Sequence, residues 1–76
     1  MKADEARDEI VKEFHEAIGN NLPFHSTHEG YSVILEEVEE LWEEIMKKSS
    51  LRNIALLRKE AKQIAAMAMR FMVDLT

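Results

Sequence analysis

The chain has 76 residues, of which 46% are apolar and none is cysteine, and it carries a formal net charge of −5. This composition indicates one globular domain without disulfide bonds or zinc–thiolate sites, and so short a chain is marginally stable unless it oligomerises or binds an ion. Residues 1–50 contain 5 Lys/Arg against 13 Asp/Glu, a net charge of −8 that argues against nucleic acid as the main partner.

The first predicted helix runs from about residue 3 to residue 18. Its apolar side chains recur in steps of three and four, as on one face of a helix: Ala6, Ile10, Phe14, Ala17 and Ile18. Gly19 is a signal for the end of a helix, and Pro23 prevents the helix from resuming. Residues 20–25 are therefore predicted to form a loop.

The second predicted helix runs from about residue 27 to residue 48. Ser26 and Glu29 fit a capping box at its start, and two lysines complement its negative C-terminal end. Large side chains form one broad apolar arc: Tyr31, Ile34, Leu35, Val38, Leu41, Trp42 and Ile45. Tyr31 and Trp42 are interpreted as core or subunit-interface residues, although either ring could stack on a nucleobase.

A turn at residues 48–50 leads to the third predicted helix, from about residue 52 to residue 75. Its apolar stripe is Leu57, Glu60, Ile64, Met67 and Phe71. No segment alternates as a strand would. The sequence therefore predicts a single all-α domain over residues 1–76, an antiparallel three-helix chain that completes its bundle against a second copy.

Neither a membrane span nor a signal peptide is expected. No stretch reaches the roughly 18 apolar residues that a membrane span needs. The first residues are charged, without the apolar core of a signal peptide. We therefore expect a soluble cytoplasmic protein that does not contact membranes.

A carboxylate in the apolar stripe is the main functional signal. Glu60 is costly to bury unless it is paired with a lysine or arginine or holds a metal ion. Glu37 and Glu40 project from one side of the second helix, three residues apart, and Gln63 repeats this spacing after Glu60. Oxygen ligands from two facing helices predict a site for a hard cation such as Mg²⁺. A solvated helix face is the interpretation for Glu39 and Glu43, and on the pattern alone it is equally open for Glu37 and Glu40.

These residues resemble a known family. The segment from Glu36 to Glu40 fits E-E-x-x-E, the first signature of the MazG-like all-α nucleoside triphosphate pyrophosphohydrolases. That family continues with E-x-x-D on the next helix, where this chain has Glu60-Ala61-Lys62-Gln63 after 19 intervening residues. The likeness covers roughly residues 24–75 and is closest to small phage-type or mobile-element members.

The resemblance implies hydrolysis of a ribo- or deoxyribonucleoside triphosphate to the monophosphate and pyrophosphate. It implies Mg²⁺, or Mn²⁺ in its place, and a homodimer or a dimer of dimers. Glu37, Glu40 and Glu60 would be metal ligands, and Glu36 would be a further catalytic residue that orients the attacking water.

Gln63 departs from the family pattern, which has aspartate at this position. An amide oxygen can coordinate Mg²⁺ but brings no negative charge. Gln63 is therefore either a weaker fourth ligand or a contact to the substrate. If it marks lost chemistry, the chain is a non-catalytic module that binds nucleotide or partner helices. A phosphoribosyl-ATP pyrophosphohydrolase-like enzyme is a third alternative, with the same chemistry on another substrate.

Several basic residues are candidates for substrate contacts. Lys59, Lys62 and Arg70 lie to one side of Glu60 and are either phosphate ligands or ordinary solvent-facing cations. His25 and His28 flank the start of the second helix, and no third ligand has convincing spacing for zinc. Loop packing, capping and contact with the substrate remain the alternatives for these histidines.

Overall fold

The computed structural model describes all residues from 1 to 76 and contains three long helices and no strand. Helix α1 spans Ala3–Asn20, α2 spans Thr27–Ile45 and α3 spans Ile54–Leu75, with a short 3-10 helix at Ser49–Leu51 before α3. The predicted all-α fold with three helices is confirmed. None of these helices combines the length and the apolar character that crossing a membrane requires.

The end of α1, the end of α2 and the start of α3 differ from the predicted positions by two or three residues, and local hydrogen bonds explain why. Gly19 keeps a negative φ and continues α1, which ends where the Asn21 side chain donates to the Ala17 carbonyl at 2.9 Å. Asn53 delays the start of α3, because its side chain accepts hydrogen bonds from the backbone N–H groups of Ala55 and Leu56. The Ser26 hydroxyl accepts from the Glu29 N–H at 3.1 Å, as the predicted cap of α2 requires.

The third helix is the centre of the fold. Both α1 and α2 pack on α3, whereas α1 and α2 do not pack on each other. Side-chain contacts give the directions, because Glu9 meets Arg58 and Glu13 meets Gln63, so α1 runs parallel to α3. Helix α2 runs antiparallel to α3. This arrangement leaves a cleft open between α1 and α2, above the central helix.

Glu44 fixes the turn that joins α2 to α3. Its carboxylate is 5% exposed and accepts hydrogen bonds from Lys47 Nζ and from the Asn53 backbone N–H, both at 2.6 Å. The bond from Lys47, with that from Asn53 second, holds the pKa of Glu44 below its ordinary value. The α2 helix therefore ends at Ile45, before the two lysines, because Lys47 turns back towards Glu44 rather than extending the helix.

The loop after α1 is tied to the C-terminal part of α3. The Phe24 N–H donates to Asp74 Oδ2 at 3.1 Å, and Arg70 donates to the Leu22 carbonyl at 3.0 Å. The Arg70 guanidinium also lies 4.1 Å from the centre of the Phe24 ring. Phe24 thereby joins the small buried core, which consists of Phe14, Phe24, Ala66 and Met67.

Gly30 marks the closest approach of α2 to α3. A Cβ atom at this position would lie 2.6 Å from Cδ2 of Phe71, closer than real contacts allow. We expect Gly30→Ala to lower the free energy of unfolding by about 1–2 kcal/mol, because the overpacking outweighs the gain in helix propensity. Thermal unfolding of the variant measures this.

Gly19→Ala is the matched control for this substitution. Nothing lies within 4 Å of its Cβ position, and its φ is negative, as in any helix. We expect it to raise the free energy of unfolding by about 0.5–1 kcal/mol. Equal effects of the two substitutions would contradict the close contact at Gly30.

Candidate metal centre

Three glutamates meet where α2 packs on α3. Glu37 and Glu40 of α2 and Glu60 of α3 each offer a carboxylate oxygen, and the three oxygens lie within 4.8 Å of one another. We call this set the carboxylate triad. It brings together the three glutamates that the sequence suggested as metal ligands. The antiparallel packing of α2 on α3 explains why the three side chains meet, since residues one turn apart on α2 face a single residue on α3.

Two oxygens of the triad have no partner. Glu60 is 8% exposed, and Oε2 of Glu60 and Oε2 of Glu37 are both buried without a hydrogen bond. The ion pairs of the chain lie elsewhere: Arg7 with Asp4 and Asp8, Lys47 with Glu44, and Arg58 with Glu9. The alternative in which Glu60 is paired with a lysine or arginine is therefore absent from this structure.

Glu37 and Glu60 hold their protons more tightly than isolated carboxylates do. Burial, and after it the charge of Glu40, raises the pKa of Glu37 to about 7. Burial, and after it the hydrogen bond with Glu40, also raises the pKa of Glu60, and the charge of Lys59 opposes this only weakly. Like charges held together without a cation are unfavourable, and a bound cation relieves that repulsion.

These pKa shifts predict how the stability of the metal-free protein depends on pH. Because the pKa of Glu37 is higher in the folded than in the unfolded chain, its contribution to stability is complete below pH 4.5 and is lost as the pH rises through 7. We expect the free energy of unfolding to fall by about 2 kcal/mol between pH 5 and pH 8. Urea titrations without divalent cations measure this.

Glu37→Gln is the control for this pH dependence. The amide does not titrate, so the variant should lose most of the change between pH 5 and pH 8. A wild-type protein that gained stability over the same interval would contradict the raised pKa values.

The donor set of the triad fits a hard divalent cation. All of its ligand atoms are carboxylate oxygens, which Mg²⁺ prefers, and Mg²⁺ commonly takes only a few protein ligands and fills its other positions with water or phosphate oxygens. Glu40 is exposed while Glu60 is buried, so one side of the triad is open to a ligand from solution. The triad could therefore hold a cation and a bound phosphate chain at once.

Two clefts meet at the triad. One, of about 340 Å³, lies between α1 and α2, and we call it the polar cleft. Its polar lining is Glu13, Glu16, Asn20, Asn21, Glu37, Gln63 and Arg70. The other, of about 350 Å³, lies on the far side and is lined by Glu40, Glu60, Lys47 and neighbouring residues. Each cleft is therefore lined by part of the triad, Glu37 on one side and Glu40 with Glu60 on the other.

Gln63 lies in the polar cleft, next to Glu37. Its amide nitrogen is 3.5 Å from Glu13 Oε1, at the outer limit of a hydrogen bond. Arg70 lines the same cleft, and it is 5% exposed because the loop after α1 covers it. Both candidate substrate residues therefore face a space beside the triad, although most of the Arg70 guanidinium is engaged by Leu22 and Phe24.

The other sequence candidates lie outside this centre. Glu36 is exposed on α2 and is not part of the triad, and Lys59 is exposed next to Glu60. His28 lines an apolar groove of about 720 Å³ between α2 and α3, together with Tyr31. Tyr31 and Trp42 are 63% and 57% exposed, so in a single chain neither is a core residue.

Glu13 was missed as a site residue, although the sequence contains a signal for it. It falls three residues after Ile10 and four before Ala17, at the edge of the apolar face of α1, and it is half-buried. A carboxylate at that edge is a weaker signal than Glu60, which is buried on α3.

No protein-family model matches the chain, and no curated protein or solved structure is detectably similar to it. The resemblance to the MazG-like family thus rests on the residues of α2 and α3 themselves. Any function must be inferred from the chemistry of the carboxylate triad and of the clefts beside it.

Proposed function

We propose that the protein is a Mg²⁺-dependent nucleoside triphosphate pyrophosphohydrolase. It would convert a ribo- or deoxyribonucleoside triphosphate and water into the nucleoside monophosphate and pyrophosphate. The observation that carries the proposal is the carboxylate triad, with buried, unpartnered oxygens on Glu37 and Glu60. Three carboxylates without a cationic side chain among them are costly to a small protein unless a cation is bound.

Glu37, Glu40 and Glu60 would hold Mg²⁺, or Mn²⁺ in its place. The bound ion would neutralise charge on the phosphate oxygens and lower the pKa of a water molecule. The Gln63 amide is the nearest counterpart of the aspartate in the MazG-like pattern, and it is directed towards Glu13 rather than joined to the triad by a hydrogen bond. We therefore assign Gln63 to the substrate rather than to the cation.

The reaction needs a water molecule, an oriented phosphate chain and a proton acceptor. The water oxygen attacks the α-phosphorus, the bond from that phosphorus to the oxygen bridging to the β-phosphorus breaks, and pyrophosphate leaves. A triad oxygen that the cation does not use accepts the proton of the water, for which Glu37 is the best placed because it faces the polar cleft. Such catalysis depends mostly on positioning and electrostatics.

Exposed residues beside the triad are the candidates for phosphate contacts. Lys59 adjoins Glu60 and is exposed, so its ammonium group is free to reach a phosphate oxygen. Glu36 is also exposed, and it would act only through ordered water. Arg70 would contribute chiefly by holding the loop against α3.

A second copy of the chain would complete the bundle. Exposed apolar side chains recur in steps of three and four along α2 and its C-cap. We call this set the outer strip, which consists of Tyr31, Leu35, Val38, Trp42 and Met46. An unpaired seam of this kind is typical of helices that associate with another helix. We propose a homodimer through the outer strip, with a dimer of dimers as the larger form, in the cytoplasm where nucleotides and Mg²⁺ are abundant.

Pyrophosphate release from a panel of ribo- and deoxyribonucleoside triphosphates, with and without Mg²⁺, tests the function. We expect release from one or a few substrates, only with the metal present. Orthophosphate as the product would show that the wrong bond was assigned. Binding of nucleotide without any product would favour the non-catalytic module, for which the Gln63 amide in place of a carboxylate is the supporting observation.

A further inference from the structure

The polar cleft differs in chemistry from a phosphate site. Glu13 and Glu16 of α1 would repel a phosphate chain, whereas a neutral group with hydrogen-bond donors would be favoured there. The side chains of Asn20 and Gln63 each supply a donor and an acceptor. The cleft therefore suits an uncharged, polar part of a ligand whose phosphates lie at the triad.

Buried groups in this cleft lack partners. Arg70 is 5% exposed, and its Nε is buried without a hydrogen bond. The amide of Gln63 has only its 3.5 Å contact with Glu13. A ligand atom that accepts a hydrogen bond would satisfy either donor, so these groups point to an occupant of the cleft, independently of its carboxylates.

The cleft also has an apolar part. Ala17, Val33 and Met67 contribute to its lining. Such side chains can pack against the faces of a planar ring, and a methionine thioether makes favourable contacts with aromatic rings. An apolar floor with polar groups at the edges is the usual form of a site for a flat heterocycle.

We propose that the polar cleft binds the nucleobase of the substrate and selects bases that carry an exocyclic amino group, as cytosine and adenine do. The selection rests on the proposed function, since the phosphate chain then occupies the triad. The carboxylates of Glu13 and Glu16 accept hydrogen bonds from the amino group, as acidic residues do from the N4 amino group of cytosine. The Gln63 amide donates to the ring nitrogen next to the amino group, which is N3 of cytosine or N1 of adenine.

The same groups reject uracil and hypoxanthine. Each of these bases has a carbonyl oxygen where cytosine or adenine has the amino group. That oxygen would face a carboxylate, so two acceptors would meet and neither would be satisfied. The selectivity therefore resides in α1, outside the segment of about residues 24–75 that resembles the MazG-like family.

Affinities for nucleoside monophosphates test the selection without requiring turnover. Calorimetric titrations with Mg²⁺ would compare dCMP with dUMP and AMP with IMP, two pairs in which a carbonyl replaces the amino group and the adjacent ring nitrogen gains a proton. We expect the amino-bearing member of each pair to bind about tenfold more tightly. The double variant Glu13→Gln with Glu16→Gln should reduce this ratio to about twofold or less, because an amide presents a donor as readily as an acceptor.

Glu39→Gln is the matched control, since Glu39 is exposed on α2 and lines neither cleft. It should leave both ratios unchanged. Equal affinities within each pair, no measurable binding of either member, or an unchanged ratio in the double variant would overturn the selection. If the amino-bearing nucleotides bind more tightly but no triphosphate releases pyrophosphate, the proposed function is rejected. If dCTP and dUTP release pyrophosphate at equal rates, only the base selection is rejected.

Discussion

Glu60→Gln is expected to lower the Mg²⁺-dependent rate of pyrophosphate release by at least about 100-fold, a loss at the upper end of that seen when groups supporting a metal ligand are removed. The substitution keeps the size of the side chain and removes one negative charge from the triad. Because Glu60 is the proposed ligand from α3, its loss would leave the cation held by α2 alone. Initial rates of pyrophosphate release at saturating Mg²⁺ measure the effect.

A folding defect would also lower the rate of pyrophosphate release, so the stability of the variant must be measured as well. Glu60 is buried and its pKa is raised, so the neutral amide should leave the metal-free protein at pH 8 at least as stable as the wild type. Mg²⁺ should raise the unfolding temperature of the wild type and not that of the variant. The exposed Glu39→Gln should behave as wild type in both measurements.

Retention of full activity by Glu60→Gln would reject the triad as the catalytic centre. Retained stabilisation by Mg²⁺ would show that the cation binds elsewhere. If Mg²⁺ no longer stabilises the variant but the variant remains active, the reaction does not depend on the cation at the triad. The proposed mechanism would then be rejected.

Trp42→Glu is expected to convert the proposed homodimer into a monomer and to lower the unfolding temperature. The indole is the largest side chain of the outer strip and is 57% exposed in the single chain. A large aromatic residue at the centre of an interface commonly contributes 2 kcal/mol or more to binding, and a buried charge in its place adds a penalty. Sedimentation at a series of protein concentrations measures the dissociation.

Trp42→Phe is the control for this prediction, because it keeps an aromatic side chain on the strip. It should weaken the dimer less than the charged substitution does. A wild-type chain that sediments as a monomer at every concentration would reject the second copy as the partner of the outer strip. The exposed apolar side chains would then need another partner.

The sequence predicted those features that depend on periodicity. The spacing of Glu37, Glu40 and Glu60 on two packed helices was sufficient to bring their carboxylates together, because helix geometry fixes which residues share a face. The steps of three and four also predicted three helices and no strand. The three helices follow from local rules, and the triad needs in addition only that α2 packs antiparallel on α3.

Features that depend on tertiary contacts were not predicted. Burial of Glu44 follows from its bonds to Lys47 and Asn53 in the turn, which the sequence pattern does not reveal. The burial of Arg70 depends on the loop that folds over it, and the helix ends depend on side-chain caps. The apolar stripes did not predict that α1 and α2 remain apart. A stripe shows which face of a helix is buried, but not which other helix covers it.

The separation of α1 from α2 places the triad glutamates and the cleft residues Glu13 and Glu16 on different parts of the chain. All three triad residues lie between positions 37 and 60, on a hairpin of two helices that needs no ligand from α1. Under the proposed function, substitutions of Glu13 or Glu16 would therefore alter what the polar cleft accepts and leave the three triad glutamates in place. If the proposed function holds, the half-buried and exposed residues of α1 that line the cleft could change the preferred base while its core residue Phe14 keeps α1 packed on α3.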